Sequence, residues 1–146
     1  MVDTRVQLEV EDWVRREWMP PKFGQQFFRE RVRLTSGGVC DFDAVSADRR
    51  IVAAISTSGA VTARGKYAVG KMLKVRSDMY FLLLADAERR IVVLTERDMH
   101  NQCMKEASGG RVPPSIEFVH AEIPLELETL LRASRDSASG EVSPVP

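Results

Sequence analysis

Residues 51–57, Ile-Val-Ala-Ala-Ile-Ser-Thr, carry no charge, and their only polar groups come at the end. A strand with one wet face shows a polar residue at every second position, so this segment belongs at the centre of a sheet, covered on both faces. Its sequence neighbours fit that demand. On the N-terminal side Val6, Val10, Trp13, Val14 and Trp18 recur at helical spacing, and Pro20-Pro21 is expected to stop the helix. On the C-terminal side Met72, Val75, Met79 and Leu82 form one apolar stripe of a helix expected over 69–85.

Two strands precede the central one. The first is expected over 25–34, with Phe27, Arg29, Arg31 and Arg33 on one side and Phe28, Glu30, Val32 and Leu34 on the other, the second side facing the core. Ser36-Gly37-Gly38 reads as a hairpin turn into a strand over 39–46, which ends at the polar run 47–50. After the stripe helix come a strand over 91–94 and a helix over 96–107 capped by Thr95 with Asp98. A strand over 116–123 follows, then a helix opened by Pro124 with Leu127, Leu130 and Leu131 on its core side. A meander feeding helical crossovers argues an α+β fold, or α/β with a mixed sheet. The expected organisation is one domain over 1–133 and a disordered Ser-, Gly- and Pro-rich tail over 134–146.

The 146 residues, 44% of them hydrophobic, suffice for one ordinary core. Basic and acidic residues balance at 21 each, which excludes a generally cationic surface and leaves only a local patch for binding a polyanion. The longest apolar run, 79–85, is too short to cross a bilayer, and no secretory leader is read, so no membrane partner and a cytoplasmic location are expected. Cys40 and Cys103 match no metal-ligand spacing and read as reduced, packed thiols.

The chemistry concentrates in 38–57, Gly-Val-Cys-Asp-Phe-Asp-Ala-Val-Ser on one strand and Ile-Val-Ala-Ala-Ile-Ser-Thr on the next. With the element order over 4–95, this stretch resembles the PD-(D/E)xK nuclease superfamily, although the motif itself spans only about 15 residues. The resemblance implies a restriction-endonuclease-like core of helix, three strands, helix and strand. It also implies an aspartate on the second strand and a carboxylate-x-lysine pair on the third, arranged around one or two divalent ions. Asp43 stands at the first position; Ala54 and Ser56 stand where the carboxylate and the lysine belong. Residues two apart on a strand share a side, which is why that pair can face one metal. The metal activates water, and lysine positions it. A methyl and a hydroxyl replace neither role.

This departure permits three functions. In the first, the degenerate site serves a domain that binds nucleic acid or another phosphate-bearing ligand without cutting it. Alternatively, the lost groups have moved and an active phosphodiesterase uses Mg²⁺ or Mn²⁺. Asp43, Lys66 and Lys71 would then be catalytic, Lys74 a further lysine candidate, and Asp41, Glu11 or Glu17 the substitute carboxylate. The third is a protein-interaction module or homodimer with no enzymatic activity. Asp41 and Asp43 are the metal candidates, set against pairing with arginines across the hairpin. Arg64, Lys66, Lys71, Lys74 and Arg76 lie uninterrupted by any acid near a helix start and form the candidate phosphate cradle, set against an ordinary solvated face. Lys74 and Asp78 also have the spacing of a helical ion pair, and His100 and His120 are not expected to form a catalytic dyad.

Overall fold

The computed structural model describes residues 4–61 and 68–142, with side chains through residue 135. Five strands, β1 (Phe27–Arg33), β2 (Val39–Ser46), β3 (Ile51–Ser56), β4 (Arg89–Leu94) and β5 (Ile116–His120), form one mixed sheet in the order β1-β2-β3-β4-β5. The first two pairings are antiparallel and the last two parallel. The fold is α+β, as the element order implies. β3 is central and buried along five of its six residues, as its composition demands.

Helix α3 (Val69–Leu84) joins β3 to β4, and α4 (Arg97–Ser108) joins β4 to β5. Parallel crossovers share one hand, so successive ones along a sheet edge place their helices on the same face. That face is packed by Met72, Val75, Met79 and Leu82 of α3 and by Met99 and Cys103 of α4, against Val52, Ala54, Val92 and Leu94. The opposite face, Ala53, Ile55, Ile91 and Val93, is covered by Val10, Val14 and Met19 of the N-terminal helical segment and by Leu131 of α5 (Leu125–Val142). Among the described residues no helix is long and apolar enough to cross a membrane.

Several local expectations are corrected. The N-terminal helix does not stop at Pro20-Pro21. α1 (Thr4–Trp13) runs into a π-helical turn (Val14–Trp18) and then α2 (Met19–Phe23), in which the prolines occupy the first turn. A first turn has no use for their missing N–H groups, and the wide turn before it absorbs the ring clash. The segment ends at Gly24 (φ 76°), whose N–H reaches the Pro20 carbonyl at 2.8 Å.

On β1, Val32 and Leu34 face the α3 side as expected, but Phe28 is exposed and Phe27 buried. Each face of this edge strand is covered at one end only. Phe27 lies under the N-terminal helices, edge-on to Phe23 at 5.7 Å. Thr95 does not cap α4: the residue before the helix is Glu96, and no side chain there closes the cap. Asp98 instead accepts the Ala60 N–H at 3.0 Å. α5 runs to Val142, and Arg135 ties it to Glu96 at 2.7 Å and to the Thr57 carbonyl.

Candidate functional site

The β1–β2 ladder contains one irregularity, and it falls at Asp43. Phe28 pairs with Val45 and Glu30 with Phe42, so Arg29 alone opposes both Asp43 and Ala44. Such a bulge re-aims side chains locally. Asp43 is held by its surroundings: Ile55 donates its N–H to Oδ2 at 2.8 Å, and Arg15 Nε donates to the Asp43 carbonyl at 2.6 Å. The carboxylate lies at the rim where β3 leaves the sheet, in a cleft of about 740 Å³ between α1 and α3. Gln7 and Glu11 of α1 form one wall, Lys71, Lys74 and Asp78 of α3 the other, and Ser56, Thr57 and Ser58 the floor.

Among the described residues, charge in this cleft is unevenly matched. Three carboxylates, Glu11, Asp43 and Asp78, face two lysines, Lys71 and Lys74. Burial lifts the Glu11 carboxyl above its ordinary range and the Asp43 charge lifts it further, against the pull of Arg15, Arg29 and Lys74. Asp78 is also raised, by burial and by Asp43, although Lys74 donates to it at 2.6 Å. Burial works to lower Lys74, but Asp78, Asp43 and Glu11 together outweigh it and hold the ammonium above its usual value. Among the described residues the Glu11 side chain makes no hydrogen bond or ion pair.

The positions read from the motif separate. Ala54 is 5% exposed and packs in the apolar cluster under α3, where no carboxylate would be solvated, whereas Ser56 lines the cleft. Asp41 lies outside the cleft and pairs with Arg31 at 3.2 Å on the exposed hairpin. Glu17 is exposed on the π-helical turn and does not line the cleft. Of the basic run, Lys71 and Lys74 reach the cleft, Arg76 turns away to Glu106 at 2.7 Å, and Arg64 and Lys66 lie outside the described residues.

Among the described residues no three His, Cys, Asp or Glu side chains come close enough together to hold a metal ion. A hard cation such as Mg²⁺ is commonly held by one or two carboxylates, with water and substrate phosphate completing its shell. Glu11 and Asp43 reach this one cleft from two different elements.

A second cleft of about 520 Å³ opens on the same rim between α4 and α5, lined by Glu96, Arg97, Asp98, His120, Glu122, Glu128, Arg132 and Arg135 among others. Here the parallel register that sets Leu94 beside His120 brings His100, one turn into α4, to 5.9 Å from the His120 ring. Twenty residues of separation concealed this pair, which only the β4–β5 pairing reveals. Burial and the neighbouring imidazole push the His100 pKa down. No family model, curated protein or solved structure matches this chain.

Proposed function

We propose that this chain is a nuclease-fold domain whose α1–α3 cleft binds a phosphodiester of nucleic acid through a divalent cation held by Glu11 and Asp43. The observation that carries the reading is the gathering of Glu11, Asp43, Lys71 and Lys74 on one cleft at the end of β3. Among the described residues that line the cleft, a phosphate entering alone meets Glu11, Asp43 and Asp78 beside Lys71 and Lys74. A divalent ion on the two acids reverses that balance, and Lys71 and Lys74 can then contact the remaining phosphate oxygens.

Cleavage is not part of this reading, because the third strand lacks both of its motif groups and Lys74 is engaged by Asp78. An active phosphodiesterase is the second reading, favoured by one observation: Glu11 and Lys74 stand near Asp43 from neighbouring helices and could take the two vacated roles. Incubation of wild type and Asp43→Ala with plasmid, single-stranded DNA and RNA, in Mg²⁺ or Mn²⁺, separates the two. The first reading expects cation-dependent retardation of wild type on a gel and intact substrate. Cleavage by wild type that Asp43→Ala abolishes would establish the second, and neither retardation nor cleavage in any cation would refute both.

A further inference from the structure

Helix α3 is apolar on two sides. Met72, Val75, Met79 and Leu82 face the sheet. The outward side carries Val69, Gly70, Leu73, Ser77, Tyr80 and Phe81 and no charge. Val69 and Leu73 are each 55% exposed, and Tyr80 is 60% exposed. A helix that meets only water places its charges there, and a contiguous exposed apolar strip with a polar border marks an interface. The border is present on both sides. Arg76 is tied to Glu106 at 2.7 Å along one, and Lys74 to Asp78 at 2.6 Å along the other.

We infer that a second copy of this chain covers the strip, with the two α3 helices antiparallel about a twofold axis at Ser77. The strip complements itself under that operation. Leu73 comes opposite the partner's Phe81, and the small Ser77 sits at the crossing. Gly70, where an added Cβ would meet nothing within 4 Å, leaves room for the partner helix towards each end. The charges agree as well. A twofold axis keeps each border on its own side, so the two Lys74–Asp78 pairs run side by side in opposite order, the two acids nearest the axis and flanked at each end by a lysine. Each Arg76 brings its own neutralising Glu106, and opposed helix dipoles add to the match. Lys74 and Asp78 also border the cleft, so both clefts of the dimer open on the same side and form one two-part surface.

Sedimentation equilibrium of the full chain tests the pairing. Wild type should be a dimer, and Leu73→Glu should weaken it by about 30-fold or more, the effect of removing a central contact, with an unchanged circular dichroism spectrum. Tyr80→Arg serves the same purpose should Leu73→Glu misfold. The register is read in a Cys40→Ser background, where Ser77→Cys should form a covalent dimer under mild oxidation and Leu73→Glu should suppress it. A wild type that stays monomeric overturns the inference, as does a dimer indifferent to both interface charges, or a dimer that Ser77→Cys fails to cross-link.

Discussion

The α1–α3 cleft and the α4–α5 cleft lie on the same rim of the sheet, and each mixes carboxylates with cations. In the α4–α5 cleft the charges answer one another. Arg135 bonds Glu96 at 2.7 Å, Arg132 bonds Glu128 at 2.6 Å, and Asp98 accepts backbone N–H groups from Ala60 and Met99. In the α1–α3 cleft Asp43 and Glu11 act against each other, and the one direct ion pair among the described residues, Lys74 with Asp78, joins neighbouring turns of a single helix. The first arrangement closes the structure, because Arg135 reaches from α5 to Glu96 and the Thr57 carbonyl, and Asp98 reaches the Ala60 N–H, so that distant segments are held together. The second, among the described residues, leaves the Glu11 carboxylate without a direct partner at an open surface. Perturbed and poorly matched ionisable groups in a cleft point to binding more than the number of charges does.

Three substitutions probe this contrast. The largest effect is expected at Arg135→Ala. It removes the bond to the largely buried Glu96 and the bond to the Thr57 carbonyl, and should cost about 2 kcal/mol of stability in a denaturant titration while leaving nucleic-acid affinity unchanged. A loss of affinity with stability intact would place the binding surface in the wrong cleft. Lys74→Ala should act mainly on affinity. It leaves the largely buried Asp78 without its partner, at a cost of about 1 kcal/mol, while affinity measured in Mg²⁺ falls by roughly threefold to tenfold and its salt dependence flattens.

Glu11→Gln gives the smallest effect and the most specific one. The folded protein keeps the Glu11 proton to higher pH than the unfolded chain does, so ionising this group opposes folding. Its contribution therefore falls as pH rises through the window above the ordinary carboxyl value of 4.5. Glu11→Gln should melt above wild type at pH 7 in the absence of divalent ions, and the gap should close as the pH is lowered through that window. A lower melting temperature for the variant at pH 7 would mean that Glu11 is a structural residue.

Local signals were the legible ones. The apolar composition of β3 and the four-residue stripe of α3 each follow from spacing within one element, and both lie where the pattern puts them. Glu11, Lys71 and Lys74 were also within reach, because the element order sets α1 and α3 against the strands that carry Asp43 and Ser56. What escaped depends on contacts between distant segments. The bulge at Asp43 is a property of the β1–β2 pair. The burial of Phe27 in place of Phe28 depends on which helix covers which end of an edge strand. Pro20 and Pro21 resemble terminators in the sequence, but a proline's cost depends on the turn before it, and here that turn is π-helical. The His100–His120 contact needs the parallel β4–β5 register, to which no short-range pattern is sensitive.

The central claim is that a divalent ion on Glu11 and Asp43 recruits phosphate to the α1–α3 cleft. Its most direct test is fluorescence anisotropy of a labelled duplex with wild type, Glu11→Gln and Asp43→Asn, each titrated in Mn²⁺ and again in EDTA. The account predicts that wild type binds at least about tenfold more tightly in Mn²⁺, and that both variants lose this gain while staying folded. Equal affinity of wild type in Mn²⁺ and EDTA, or variants that keep the full gain, would contradict it.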